Sequence, residues 1–201
     1  MRFDAIIFDF DGTLVDSAGV KYDSFFELFP PTEKHRAIVK DVLARDPDGS
    51  RHAVIPRMVD AMRKGGLAAP EDNHVQRYGE IVEAGVSAAP ECPGASDLLA
   101  RLHGHAKLYI ASNTPQEAVR HQAELRGWGR YFDAIFGYPA RKVDVVREIL
   151  ERNRIRPDRL AFVGDGISDE EAARANGCVF IRIAEPADLL AAARQLELTH
   201  V

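Results

Sequence analysis

Five short apolar runs, at residues 3–8, 107–111, 134–136, 160–163 and 179–183, constrain what this chain can fold into more than any other feature. They are bounded by turn residues, as strands buried on both faces are. Helix-like stretches lie between the later runs, at 116–126, 142–152 and 168–176, and a last one at 186–196 closes the chain. In the second stretch Val143, Val146 and Leu150 share one face with Ile149 beside them, and Gly177 supplies a C-cap for the third. Strand alternating with helix predicts an α/β fold. Its core would be a Rossmann-like three-layer arrangement, a parallel sheet wrapped by helices, with ligands bound at the carboxyl ends of the strands.

Residues 17 to about 90 break this alternation and contain no good strand. Helices are predicted at about 17–29, 32–44, 50–64 and 71–84, separated by Pro30-Pro31, Asp46-Pro47-Asp48-Gly49 and Gly65-Gly66. The predicted organisation is a core of residues 1–16 and 88–201 with a helical cap, residues 17–87, inserted after the first strand. Arg2, Asp4 and Asp9 interrupt any apolar leader, and the two cysteines, Cys92 and Cys178, offer no disulfide framework. We therefore expect a soluble, cytoplasmic protein with free thiols. A net charge of −5 argues against nucleic acid or an anionic membrane as the main partner. An anionic substrate would need locally placed cations or a metal.

The chemistry sits at the strand ends. The first run ends in Asp9-Phe10-Asp11-Gly12-Thr13, which places two carboxylates two residues apart on the same side. One carboxylate can attack phosphorus, with a cation such as Mg²⁺ screening the charge, while the second serves as general acid and base. Gly12 lets backbone N–H groups approach phosphate. Asp-x-Asp-Gly also fits a hydrated Asx turn. A calcium loop fails, because its glycine belongs at the sixth position and here it is the fourth. The second run leads into Ser112-Asn113-Thr114-Pro115, a hydroxyl and an amide at a strand-to-helix turn that could hold phosphate oxygens. A plain N-cap is the alternative there. Lys142 opens a helix, the end that cations ordinarily avoid, so it could point at a phosphate and at Asp9. It could equally be a solvated lysine beside Arg141. Asp165 and Asp169 span a glycine turn at a spacing that could bring both to one cation. Helix capping is the other reading of Asp169 and the preferred one for Glu170.

Taken in order, Asp-Phe-Asp-Gly-Thr-Leu-Val-Asp-Ser, then Ser-Asn, then Lys, then Gly-Asp-x-x-x-Asp, the chain resembles the haloacid dehalogenase superfamily of phosphohydrolases, in the subclass with an α-helical cap. The resemblance implies a Mg²⁺-dependent phosphatase acting on a small phosphorylated metabolite through an aspartyl-phosphate. By position it implies Asp9 as nucleophile and metal ligand, and Asp11 as acid/base and metal ligand through its backbone carbonyl. Thr13, Ser112 and Asn113 would contact the transferring phosphoryl group, and Lys142 would stabilise its charge. Asp165 would ligate the metal and Asp169 support it. Val143 follows Lys142 where many relatives have proline, so Arg141 competes for that role. A phosphosugar mutase would share every catalytic residue, and a silent binding protein of the same fold is a further alternative. A 2-haloacid dehalogenase needs neither metal nor the second aspartate. In the cap, Lys21, Arg51 and Arg57 are candidates for a second anionic or polyhydroxylated group, with Asp48-Gly49-Ser50-Arg51 at a helix start. His103-Gly104-His105 reads as a helix terminus and turn.

Overall fold

The computed structural model describes residues 2–46, 50–69 and 73–197. Its contacts divide the chain into two compact units, Met1–Ser17 with Ala89–Val201, and Ala18–Ala88.

The first unit is built on five parallel strands: β1 (Ala5–Phe8), β2 (Lys107–Pro115), β3 (Ala134–Tyr138), β4 (Leu160–Gly164) and β5 (Val179–Arg182), in the order β3-β2-β1-β4-β5. All four residues of β1 are fully buried, which is why that run carries no polar alternation. The chain winds outward from β1 through β2 to β3, then crosses back to β4 and β5. The order therefore reverses at β1, and the crevice opens beyond the carboxyl ends of β1 and β4.

Right-handed crossovers fix the layers. They put α5 (Ala95–Leu102) and α6 (Gln116–Leu125) on one face, and α7 (Lys142–Asn153) and α8 (Ile167–Ala175) on the other. The last helix, α9 (Asp188–Glu197), packs on α5. Ala5 and Ile7 of β1 share a core with Val145, Val146 and Ile149 of α7 and Ala172 and Ala173 of α8. Val143 and Leu150, which the sequence put on one face with Val146, are only half-buried against the core. The buried stripe is Lys142, Val145, Val146 and Ile149, with spacing i, i+3, i+4, i+7.

Two further differences concern β2 and α5. The residues after Ala111 continue β2 rather than forming a turn, with a register shift against β3 between Ala111 and Pro115. Gln116 covers this irregularity. Its side-chain amide donates to the Ile135 carbonyl (2.8 Å) and its oxygen accepts from Gly137 N–H (2.7 Å), replacing ladder bonds. Helix α5, which the sequence reading passed over, buries Ala95, Leu98, Leu99 and Leu102.

The second unit contains α1 (Ala18–Glu27), α2 (Glu33–Arg45), α3 (Arg51–Lys64) and α4 (His74–Ala88). Thr32 caps α2 by accepting from His35 N–H. A Cβ at Gly85 would stand 2.6 Å from Val20 Cγ1, so the glycine is what lets α4 lie close against α1. Helix α4 begins at His74, later than the sequence suggested; Glu71 lies outside the described residues, as do Asp48 and Gly49 of the presumed anion-binding turn. No described helix is long and apolar enough to cross a membrane.

Candidate active site

The acids that end β1 and β4 meet at the crevice. Asp9 follows β1, Asp165 follows β4, and Asp169 lies in the first turn of α8. One carboxylate oxygen from each comes within 4.8 Å of the others, the one such group of three among the described residues. Asp9 is buried and Asp169 fully so.

Lys142 joins them. Its Nζ donates to Asp9 Oδ1 at 2.9 Å and to Asp169 Oδ1 at 2.6 Å. Its side chain is 5% exposed, so it is not the solvated lysine that its place beside Arg141 allowed. Arg141, at 78% side-chain exposure, faces Asp144 instead (3.8 Å). The signal that separates the two was present: Lys142 is the first member of the buried stripe of α7, and Arg141 is off it. Burial works against the Lys142 charge, but Asp9 and Asp169 outweigh it and hold its pKa above the usual lysine range. Burial also raises the Asp9 carboxyl. Lys142 opposes that rise, while repulsion from Asp169 and Asp11 adds to it. Asp169 shifts upward too, first through burial, and Lys142 opposes it.

Asp169 is locked from its other side. Its Oδ2 accepts from Gly166 N–H at 2.9 Å, which also caps α8. A Cβ at Gly164 would collide with this carboxylate, 2.5 Å from Cγ, so the glycine ending β4 makes room for the acid. Capping and a place in the carboxylate group are thus one geometry here.

Asp11 is held differently. Its Oδ1 accepts from Ser17 Oγ at 2.7 Å and its Oδ2 from Thr114 Oγ1 at 2.6 Å. Its carboxylate is not in the group of three; the ligand implied for it was the backbone carbonyl. The intervening Phe10 packs edge-on against Trp128 at 6.3 Å, and the Arg126 guanidinium lies over both rings at 5.9 and 5.8 Å. Gly12, at φ 78°, turns the chain so that its N–H reaches the Val15 carbonyl (2.8 Å). Thr13 is buried, with Oγ1 3.4 Å from Asp165 Oδ1. Ser112 is buried and its Oγ accepts from Thr114 N–H (3.1 Å), whereas Asn113 is exposed and donates to Ser168 Oγ (3.3 Å).

Ser17, Thr114 and Arg126 were not singled out from the sequence. Ser17 was visible only as the last residue of the first motif and Thr114 only as the neighbour of Ser112-Asn113, and their bonds to Asp11 arise from the fold. Lys21 and Arg51 lie in the helical unit and both meet Tyr78. The Arg51 guanidinium sits 5.5 Å from the ring centre, and the Lys21 carbonyl accepts from the Tyr78 hydroxyl (2.8 Å). Arg57 pairs with Asp46 (2.8 Å). His103 packs against Tyr131 and is no part of a metal-capable group among the described residues. Both cysteines are free thiols, and burial pushes Cys92 up to about 12 and Cys178 to about 11, so neither is a ready nucleophile.

Three carboxylate oxygens so close together form a hard donor set that suits Mg²⁺, with water and substrate oxygens completing its shell. Lys142 balances only one of their three formal charges, so the site fits an added divalent cation.

The chain is similar to the tyrosine-protein kinase PtkA of Mycobacterium tuberculosis, 30% identical over 181 residues, covering 86% of this chain and 59% of that protein. This chain therefore spans less than two thirds of that relative. It is 27% identical over 203 residues to the phosphoglycolate phosphatase of Escherichia coli, covering 86% of this chain and 78% of the other. In fold it is similar to the putative HAD-hydrolase YfnB of Bacillus subtilis, solved with bound magnesium: TM-score 0.77, 18% identity, 98% of this chain and all of that one. The model of haloacid dehalogenase-like hydrolases matches residues 3–177, a span that runs from β1 to the end of α8 and takes in every acid and the lysine described above. With that coverage, the chain belongs to the haloacid dehalogenase-like hydrolases.

Proposed function

We propose that the protein is a Mg²⁺-dependent phosphomonoester hydrolase that acts on a small phosphorylated metabolite in the cytoplasm through an aspartyl-phosphate on Asp9. The observation that carries the reading is the buried Asp9 carboxylate at the end of the central strand, with the Lys142 ammonium 2.9 Å away and two further carboxylates beside it. Lys142 fixes the Asp9 carboxylate through Oδ1 and supplies positive charge where the phosphoryl oxygens gather. An Asp9 oxygen bonds to phosphorus as the bond to the leaving oxygen breaks, and Asp11 gives that oxygen a proton. Asp11, now a carboxylate, takes a proton from the water that attacks the phosphoenzyme; phosphate departs and Asp9 is restored. Thr13, Ser112 and Asn113 contact the phosphoryl oxygens, and the Ser112 hydroxyl still has its proton to donate, since it accepts from Thr114 N–H. Mg²⁺ held by Asp9, Asp165 and the Asp11 carbonyl, with Asp169 in support, would screen the phosphate charge from the attacking carboxylate.

The helical unit is read as a cap that supplies substrate selection, with Lys21 and Arg51 as its cationic contacts. The name of the Escherichia coli relative makes phosphoglycolate the first substrate to try in a panel with sugar phosphates and nucleotides. The deciding experiment is turnover by Asp9→Asn. We expect no phosphate release above background and an unchanged circular dichroism spectrum. Release at a tenth of the wild-type rate or more would refute the covalent route.

A further inference from the structure

The Asp11 carboxylate has two jobs in the proposed reaction, giving a proton in one half and taking one in the other. Both demand the same placement. The backbone at this point is already fixed: Leu14 and Val15 N–H both donate to the Phe10 carbonyl (3.0 Å each), and the Phe10 ring is packed on Trp128. What remains is the rotation of the Asp11 side chain itself. Two hydroxyls bear on it, one on each oxygen: Ser17, six residues away in the same loop, and Thr114, 103 residues away on β2.

The two are not equivalent. Ser17 belongs to the segment that leaves the sheet for the helical unit, whereas Thr114 is part of the sheet. Its N–H is bound to Ser112 Oγ (3.1 Å), and its carbonyl lies where a Cβ at Gly137 would come within 2.6 Å of it, so β3 packs hard against it. The next residue but one, Gln116, clamps β3 on both sides of Phe136. We propose that Thr114 is a positioning residue for Asp11: through its hydroxyl the end of β2, held by Gln116 and β3, sets the angle at which the Asp11 carboxylate meets the leaving oxygen. The inference rests on the acid/base role given to Asp11 above. Thr114 itself touches neither phosphate nor metal in this scheme.

The test uses Mg²⁺-loaded protein and two aryl phosphates. Para-nitrophenolate leaves without a proton, but phenolate, whose conjugate acid has a pKa of about 10, leans on one. Thr114→Val should lower kcat/KM for phenyl phosphate by about 10-fold to 10²-fold, the range for a hydrogen bond to a charged group, and that for para-nitrophenyl phosphate by less than about 3-fold. Thr114→Ser keeps the hydroxyl and should restore phenyl phosphate turnover to within about 3-fold of wild type. Equal losses on both substrates would overturn the proposal, as would a serine variant as slow as the valine variant, or no loss at all. If the valine variant does not fold, Thr114→Ala takes its place in the same comparison. Asp11→Asn is assayed in parallel. Should it turn over phenyl phosphate like wild type, the acid/base assignment falls; should it lose activity while Thr114→Val behaves like wild type, only the inference about Thr114 falls.

Discussion

Replacing Lys142 by methionine tests the centre of the site. The side chain keeps nearly the same length and loses only its charge. In the wild type one ammonium serves two buried carboxylates, at 2.9 Å and 2.6 Å. Removing one partner of a buried ion pair costs about 3–5 kcal/mol, because the charge left behind is uncompensated. Here two are left behind, but both can take up protons, since burial already raises each. That relief keeps the expected loss near the lower bound, about 3 kcal/mol, or a fall of about 6–12 °C in Tm for a chain of this size. Mg²⁺ should recover part of it by supplying the missing positive charge. Turnover should fall by about 10³-fold or more, in line with losing a charge aimed at the reacting group. The assay is thermal and urea unfolding with and without Mg²⁺, beside phosphate release. Arg141→Met is the control: its exposed charge should matter by less than about 0.5 kcal/mol and leave turnover within about 3-fold. A Lys142→Met protein that melts with wild type in the absence of metal and keeps a tenth of its turnover would refute the reasoning, and the same losses from Arg141→Met would move the role to its neighbour.

Two further outcomes follow from the carboxylates. Gly164→Ala puts a methyl group where the Asp169 carboxylate lies; we expect a loss of about 1–3 kcal/mol and a Mg²⁺ affinity at least about 10-fold weaker, read by calorimetric titration. Unchanged affinity would show that Asp169 does not support the metal. The folded-state pKa values of Asp9 and Asp169 lie above the unfolded value of 3.8, so the metal-free fold binds the extra protons. Their contribution to stability is present at low pH and declines as pH rises from about 4 through the folded-state values. A Mg²⁺ ion bound at these carboxylates would have to displace those protons. The rise in Tm on adding Mg²⁺ should therefore be larger at about pH 8 than at about pH 5; an equal rise at both would mean the ion binds away from these groups.

Much of this was legible in the sequence because the sheet is buried on both faces. A strand such as β1 has no polar alternation to disguise it, and a carboxylate at its end stands out against an apolar run. The carboxylates that end β1 and β4 could be named for the same reason. What the sequence hid were relationships between distant segments. Nothing near Thr114 says that its hydroxyl meets a carboxylate 103 residues earlier. Helix α5 had a legible pattern, since Ala95, Leu98, Leu99 and Leu102 follow helical spacing, but it lies between the helical block that ends near residue 90 and the run at 107–111, where the sequence was assigned no element. The end of β2 read as a turn because Ser-Asn-Thr-Pro is turn chemistry; Gln116, by standing in for the missing ladder bonds, makes a strand affordable there.

The chain leaves the sheet and returns to it at one spot. Asp16 N–H meets the Pro90 carbonyl at 3.0 Å, Cys92 N–H meets the Leu14 carbonyl at 2.9 Å, and Val15 bridges Glu91. Seventy-odd residues are thus threaded through a doorway whose two posts are hydrogen-bonded to each other. Lengthening, shrinking or exchanging the inserted unit need shift no strand of the sheet, so that unit is free to change over evolutionary time while the acids at the strand ends keep their places.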